Sequence, residues 1–259
     1  MAWPVPVSHV VLYISYCFEV GYAPATIRLY IAAICYQHKL RNWPDPSAYF
    51  LVKKLLEGCK RLRYSKDTRI PITRKVLGVI CEKLPSITFS LYEASLFRAV
   101  YCLAYFGLFR VSELVVTNMS RSCALHFADM HLENSMQALT IRMRKTKTHQ
   151  AGPPFYIRLP CDGNTNICCV HRMHEYIRVR GTGDGFLFRH RDGSPLTRAQ
   201  FSGVLSKVLH VAGLSSGRYR PHSFRIGRAS ELAVQNVPEE SIKLMGRWTS
   251  GAYRRYLRL

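Results

Sequence analysis

Apolar residues recur at helical spacing in the first quarter of the chain. One stripe covers residues 10–18 and a second covers residues 27–34. Ser8 and Thr26 stand just ahead of these stripes, and each offers the side-chain oxygen that an N-cap needs. The pattern predicts two amphipathic helices that begin near these two residues.

A third helix is predicted after the break at residues 44–47, which contain two prolines. Its apolar stripe includes Val52, Leu56 and Cys59, whereas its other side is cationic. The basic residues of this segment, which we expect to contact a polyanion, are Lys53, Lys54, Lys60, Arg61 and Arg63. Residues 63–72 are polar and lack periodicity, and Thr73 is a candidate cap for the next helix. We therefore predict one domain over residues 1–68 and a second over residues 69–259.

The second domain is predicted to be mainly helical with one β-hairpin. Apolar and polar residues alternate over residues 139–143 and again over residues 155–159, which is the period of a half-buried strand. The connection between them carries Lys145 and Lys147, preceded by Arg144. The predicted fold class is thus mainly α with a small β-hairpin, in two domains.

The net charge of the chain indicates which kind of molecule it binds. Lys and Arg number 37 against 16 Asp and Glu, a formal net charge of +21. The excess is concentrated in three blocks, at residues 53–75, 134–161 and 218–258, separated by ordinary sequence. Basic blocks in a chain that is 48% hydrophobic are typical of a folded surface that binds phosphates rather than of a disordered arm. Nucleic acid is the favoured partner, with Arg144, Lys145 and Arg220 as further candidate contacts, and a merely solubilising surface is the alternative.

The sequence disfavours several classes of protein. No apolar run approaches the roughly 18 residues of a membrane span, and the start of the chain does not resemble a signal peptide. Nine cysteines in mostly apolar stretches suit reduced thiols in an intracellular compartment better than a disulfide framework. The glycines of residues 181–185 lack the context of a nucleotide loop.

A cluster of zinc-ligand residue types lies in the second domain. It consists of Cys161, Cys168, Cys169, His171 and His174. The cluster lacks the paired Cys-x-x-Cys spacing of common zinc sites, so core thiols before a helix are the favoured interpretation and no metal is expected.

Three separate segments carry residues suited to phosphate chemistry. His222 and Arg225 lie three apart at a helix start after a proline, beside Arg220, where an imidazole and a guanidinium project from one side. Arg110 lies in an apolar stretch, where burying a guanidinium is costly unless it meets an anion or a carboxylate. Glu113, three residues on, can supply the carboxylate, so a simple structural ion pair is the alternative to an anion-binding role. The C-terminal segment interleaves Trp248 and two tyrosines with arginines, although such tyrosines also serve as core residues.

Together these segments resemble the tyrosine recombinase, or phage integrase, family. The resemblance rests on Gly-Leu-Phe-Arg110-Val-Ser-Glu113-Leu, a lysine in the hairpin turn, His222-x-x-Arg225, and Gly-Arg-Trp248 followed by Ala-Tyr-Arg-Arg-Tyr256-Leu-Arg. Order and spacing agree across residues 108–258, and the N-terminal helices resemble the core-binding domain of the family. The segments Leu-Val-Lys-Lys-Leu-Leu-Glu-Gly and Gly-Arg-Trp are most similar in sequence to the eukaryotic Crypton and DIRS-type mobile-element recombinases.

The resemblance implies roles for six side chains. Tyr256 is the expected nucleophile, which attacks a DNA phosphate to give a 3′-phosphotyrosyl link, and His222 is the expected base. Arg110, Arg225 and Trp248 are expected to bind the non-bridging oxygens, and Lys147 to protonate the leaving oxygen. Lys145 competes with Lys147, and Tyr253 with Tyr256, but the family patterns Lys-Thr-x-Gln and Tyr-Leu-Arg favour Lys147 and Tyr256. No cofactor or metal is implied.

The expected function is cleavage and rejoining of double-stranded DNA by two domains that clamp a duplex, with self-association into a dimer or tetramer and a nuclear location. Two other hypotheses remain open from the sequence. The chain is alternatively a domesticated DNA-binding protein that no longer cuts, or an enzyme like the type IB topoisomerases that relaxes DNA as a monomer.

Overall fold

The structure is a computed structural model that describes residues 3–64, 67–117, 123–133, 136–144 and 152–258. The chain divides into two compact units, Met1–Asp67 and Thr68–Leu259. Among the described residues, no helix combines the length and the apolar character needed to cross a bilayer.

The first unit is built from three helices, α1 (Val7–Glu19), α2 (Pro24–Leu40) and α3 (Phe50–Leu62). The predicted stripes form its core, in which Val10, Ile14, Ile27, Ile31 and Val52 are each no more than 2% exposed. Helical periodicity placed these residues on one side of each helix, so burying them requires only that the three helices pack together.

The predicted caps of the first two helices are wrong. The N-caps are Pro6 and Ala23, and neither makes a side-chain capping bond. Ser8 and Thr26 therefore lie inside the first turns. In α2 the reason is that Pro24 occupies the first turn, where its fixed φ suits the helix and its missing N–H would have no partner in any case.

The second unit surrounds a helix that is buried on all sides. This helix is α5 (Leu91–Phe106), and 13 of its residues are buried. The other α-helices in the described part of the unit are α4 (Arg74–Lys83), α6 (Val111–Leu114), α7 (Cys169–Arg180), α8 (Arg198–Val211), α9 (His222–Val234) and α10 (Glu239–Gly246), and a 3₁₀ helix (Gly251–Tyr256) follows α10. Thr73 caps α4 as predicted, its hydroxyl accepting from the Val76 amide.

The described strands form an antiparallel sheet in the order β1 (Met130–Leu132), β2 (Ala138–Met143) and β3 (Phe155–Pro160). The β2–β3 pairing confirms the predicted hairpin, with Leu139 opposite Leu159 and Ile141 opposite Ile157. Strand β1 was not predicted, because three residues are too few to show an alternation. The connection at residues 145–151 lies outside the described residues.

One close backbone approach positions the start of α9. The Ile72 amide donates to the Ser223 carbonyl at 3.0 Å, and residues around Ile72 run alongside the helix. A Cβ atom on Gly227 would lie 1.7 Å from the Ile72 carbonyl oxygen, so only glycine permits this contact. The first turn of α9, which carries His222 and Arg225, is thereby fixed against the segment that leads into α4.

Candidate active site

The first turn of α9 presents His222 and Arg225 after Pro221, as the sequence predicts. Backbone bonds secure this turn, because the Ser223 amide donates to the Arg220 carbonyl at 2.8 Å while the Arg220 amide donates to the Ser223 hydroxyl at 3.0 Å. His222 is half-buried and Arg225 is fully buried. The histidine therefore faces the outside of a cluster whose interior is a guanidinium.

Arg225 joins three segments that are distant in the sequence. Its two terminal nitrogens donate to the carbonyls of Leu108 and Gly246, the latter at 3.0 Å. The Trp248 ring covers it, with 4.6 Å between the ring centroid and the guanidinium carbon. Burial, with Arg247 and Arg110 nearby, lowers the pKa of Arg225 to about 10. The group is nevertheless charged at neutral pH.

Arg110 and Glu113 form the predicted ion pair at 3.1 Å, and Glu113 is buried. The Glu113 carboxylate also accepts from the Arg110 amide at 2.8 Å, which closes the first turn of α6. A second arginine, Arg247, donates to the same carboxylate at 2.9 Å. Two cations thus share one buried carboxylate, which fixes the Arg110 side chain relative to the α10 end.

The C-terminal 3₁₀ helix brings Tyr256 to this cluster. The Tyr256 ring centroid lies 5.0 Å from that of Trp248 and 6.0 Å from that of His222. The guanidinium carbon of Arg225 lies 5.4 Å from the Tyr256 ring. Ser230 of α9 anchors the segment, since its hydroxyl donates to the Tyr256 carbonyl at 3.3 Å and accepts from the Arg258 amide at 2.8 Å.

The electrostatic environment of His222 is strongly positive. Burial lowers its pKa, and Arg225, Arg69, Arg110 and Arg198 lower it further, to about 4. The imidazole is therefore neutral at physiological pH, which is the state that accepts a proton. The influence of Arg110 on His222 and on Arg225 also places these three groups within electrostatic reach of one another.

The sequence profile of the phage integrase family matches residues 89–258, about two thirds of the chain and the stretch that holds Arg110, His222, Arg225, Trp248 and Tyr256. The chain belongs to the phage integrase family. Its members are tyrosine recombinases, which break and rejoin DNA. No curated protein matches this integrase-family chain in sequence.

Solved structures show that the fold is shared with other tyrosine recombinases. The Tn1549 transposon integrase (residues 82–397, with circular intermediate DNA) superposes with a TM-score of 0.63 at 15% identity, over 99% of this chain and 82% of that one. The XerH recombinase bound to a palindromic difH substrate superposes with a TM-score of 0.67 at 16% identity, over 98% of this chain and 69% of that one. A lambda integrase dimer bound to a COC′ core site superposes with a TM-score of 0.61 at 14% identity, over 98% of this chain and 65% of that one.

Most of the predicted site residues of this integrase-family chain lie together. Arg110 is the N-cap of α6, His222 and Arg225 lie in the first turn of α9, Trp248 follows α10, and Tyr256 ends the 3₁₀ helix. Lys147 and its competitor Lys145 lie outside the described residues. Tyr253, the competitor of Tyr256, is 5% exposed and belongs to a small apolar cluster with Leu108 and Ile242, so it has the core role that such a tyrosine can take.

The predicted DNA-contacting residues differ in their exposure and in whether their side chains already have partners within the protein. Lys53, Lys60, Arg61 and Arg220 are exposed. Lys54 is exposed but pairs with Glu57 at 3.0 Å. Arg144 pairs with the buried Asp129 at 2.5 Å. Arg63 packs 4.0 Å over the Phe18 ring and donates to the Tyr22 carbonyl, so part of its role is structural.

Arg247 is the residue of this site that the sequence did not single out. It ends α10 in the left-handed conformation, and its side chain donates to the carbonyls of Gly107 and Leu108 at 3.0 and 2.9 Å. The only sequence signal was its place between Gly246 and Trp248. Gly246 is required there, because a Cβ atom would lie 1.8 Å from the Trp248 ring.

Proposed function

We propose that this phage integrase family protein cuts and rejoins double-stranded DNA at specific sites through a covalent link to Tyr256. One observation carries the assignment of residues: the Tyr256 ring lies against Trp248, His222 and Arg225, although these come from separate elements. In this reaction the phenolic oxygen forms a bond to phosphorus while the bond to the 5′ oxygen breaks. A phosphoester is exchanged for a phosphoester, so rejoining needs no external energy source.

His222 is proposed to take the phenolic proton. A phenol has an ordinary pKa near 10 and is a weak nucleophile at neutral pH, so a base or a cationic field must assist it. The pKa of His222, lowered to about 4 by burial and four arginines, leaves the imidazole unprotonated but weakly basic, so transfer of the phenolic proton also depends on the positive charge around Tyr256. The same arginines favour the phenolate that results.

Arg110, Arg225 and Trp248 are proposed to stabilise the charge that accumulates on the non-bridging oxygens. The terminal nitrogens of Arg225 already donate to the carbonyls of Leu108 and Gly246, and two aromatic rings cover it. Arg225 is fully buried, so a phosphate can contact it only after a local rearrangement. Arg110 is 16% exposed and needs no such movement.

Lys147 is proposed as the general acid that protonates the leaving 5′ oxygen. The support is its place in the connection of the β2–β3 hairpin and the Lys-Thr-x-Gln pattern, since the residue itself lies outside the described part of the chain. We expect no cofactor in this chemistry, because two guanidiniums supply the positive charge.

The finer assignments are also proposals. A relationship to the Crypton and DIRS-type recombinases rests on the local sequence around Lys53 and Trp248. A nuclear location would follow from that relationship. The two-domain organisation, with the first unit as a core-binding domain, rests on the exposed Lys53, Lys60 and Arg61 of α3 and on the family resemblance. Self-association on DNA is proposed from the family alone.

Covalent capture tests the function and identifies the target site in one experiment. The full chain is incubated with fragmented genomic DNA, denatured, and the DNA that stays linked to protein is sequenced. A duplex that carries the recovered sequence and a nearby nick should then accumulate adduct. Tyr256→Phe should abolish the adduct and keep non-covalent binding, and Tyr253→Phe is the matched control that should retain it.

Two results would overturn parts of the proposal. An adduct that survives Tyr256→Phe but is lost in Tyr253→Phe would show that the nucleophile is misassigned. Salt-sensitive binding without adduct on any recovered DNA would favour a binding protein that no longer cuts.

A further inference from the structure

The end of β3 and the beginning of α7 bring two thiols and an imidazole together. Cys161 follows the last residue of β3, Cys168 is the N-cap of α7, and His171 lies in its first turn. The Sγ atom of Cys161 lies 3.6 Å from that of Cys168 and 3.5 Å from Nδ1 of His171. All three donor atoms lie within 4.8 Å of one another.

Two of the three separations match those between ligands of a tetrahedral zinc ion, and the third, between Sγ of Cys168 and Nδ1 of His171, is within 4.8 Å. With Zn–S of about 2.3 Å and Zn–N of about 2.0–2.1 Å, tetrahedral angles place two sulfurs about 3.8 Å apart and a sulfur and a nitrogen about 3.6 Å apart. The observed 3.6 and 3.5 Å lie within about 0.2 Å of these values. The two sulfurs are in turn much farther apart than the roughly 2.05 Å of a disulfide bond.

We propose that Cys161, Cys168 and His171 bind one zinc ion, with a water molecule as the fourth ligand. No fourth Cys, His, Asp or Glu of the described chain joins the group. Cys161 and His171 are half-buried, which leaves a side open to solvent, whereas Cys168 is buried. Neighbouring Asp162 is engaged elsewhere, since it pairs with Arg74 at 2.7 Å.

Charge and ligand chemistry favour zinc over harder cations. Two thiols lose their protons on binding, so two thiolates balance the dication and the complex is neutral. Thiolate and imidazole donors select zinc and related soft or borderline metals, whereas magnesium and calcium require oxygen donors. The ion would tie the end of β3 to the start of α7, across the loop of residues 162–167.

The sequence pattern disfavoured this site because its ligands lack the Cys-x-x-Cys spacing. Residues seven and three apart converge here only because the chain leaves a strand, turns, and enters a helix whose first turn brings positions 168 and 171 to the same side. Cys169 points elsewhere and is part of the apolar core of the second unit.

Metal binding is tested on the full chain under reducing conditions. Added cobalt(II), which takes the place of zinc, should produce one equivalent of the near-ultraviolet band that cobalt–thiolate bonds give, and zinc should displace it. Cys161→Ser, Cys168→Ser and His171→Gln should each weaken cobalt binding at least tenfold. Cys123→Ser and His210→Gln are matched controls of the same residue types outside the cluster and should bind as the original chain does.

The outcomes separate this site from the recombinase chemistry, because the measurement uses no DNA. Circular dichroism of each variant shows that it is folded, and His171→Gln provides a ligand change outside the buried core. A chain that gives no cobalt–thiolate band, a band that all three ligand variants retain, or a Cys161–Cys168 disulfide with no bound metal would each overturn the proposal.

Discussion

Two arginines, the buried Arg225 and the half-buried Arg247, organise the site at the scale of single residues. Arg225 and Arg247 both donate to the Leu108 carbonyl, and Leu108 adopts a positive φ of 48°. A non-glycine residue in that region is uncommon and persists where its surroundings fix it. The two guanidiniums supply such surroundings, and Glu113 links Arg247 to Arg110.

Arg247→Lys is expected to destabilise the protein by about 3 kcal/mol, because an ammonium cannot replace a guanidinium that bridges two carbonyls and a buried carboxylate. Urea unfolding measures the change. Arg254→Lys, at a site whose side chain is 71% exposed, is the control and should have little effect. Equal losses in both variants would show that Arg247 has no special structural role.

His222 should give a specific pH dependence of stability. Its folded pKa of about 4 lies below the ordinary value of 6.5. Between these values the unfolded chain binds a proton that the folded chain does not, so stability falls as pH falls through this window. The drop in Tm from about pH 7 to about pH 5 should therefore be larger in the original chain than in His222→Gln.

The control for this measurement is His210→Gln on α8, where the histidine is exposed. That variant should keep the full pH dependence of the original chain. If His222→Gln and His210→Gln respond alike in thermal denaturation, the low pKa of His222 is refuted.

At the scale of elements, the packing of α9 depends on the absence of one side chain. Gly227→Ala would force a methyl group to within 1.7 Å of the Ile72 carbonyl oxygen, and displaced backbone should cost about 1–3 kcal/mol in urea unfolding. Gly203→Ala in α8 is the matched control, since nothing lies within 4 Å of its Cβ position. It should stabilise the protein by about 0.5–1 kcal/mol, because alanine restricts the unfolded chain. Destabilisation of both would contradict the contact.

The elements also show which sequence patterns are informative. The amphipathic helices of the first unit and the β2–β3 hairpin were predictable, because one side of each faces the core and the other does not. Helix α5 was not predicted individually. It is apolar on nearly every side because it lies in the centre of the second unit, and such a run shows little periodicity.

At the scale of the whole molecule, the net charge of +21 should make DNA binding strongly dependent on salt. Lys53 and Lys60 are seven residues apart on α3, so they share a side of the helix, and neither has a carboxylate partner among the described residues. The double variant Lys53→Gln/Lys60→Gln should reduce the slope of log K against log salt by about 1.8, from about 0.9 per phosphate contact.

The matched control removes the same charge from lysines that already have partners. Lys39 pairs with Asp45 at 3.0 Å and Lys243 with Glu239 at 2.5 Å. Lys39→Gln/Lys243→Gln should change the slope less in the same fluorescence titration. Equal slopes for the two double variants would mean that net charge alone, and not the α3 surface, determines binding.

The sequence by itself determined the helical character, the hairpin, the basic surface and the family, because periodicity, charge and motif order are local or additive properties. It also supplied the identities of the residues around Tyr256. Only the tertiary structure decided how these residues meet: that Arg225 is covered by Trp248 and Tyr256, that Arg247 shares Glu113 with Arg110, and that Cys161 reaches Cys168 and His171. Such contacts join positions far apart in the chain or across a turn, and their geometry follows from the packing of whole elements, which no local pattern records.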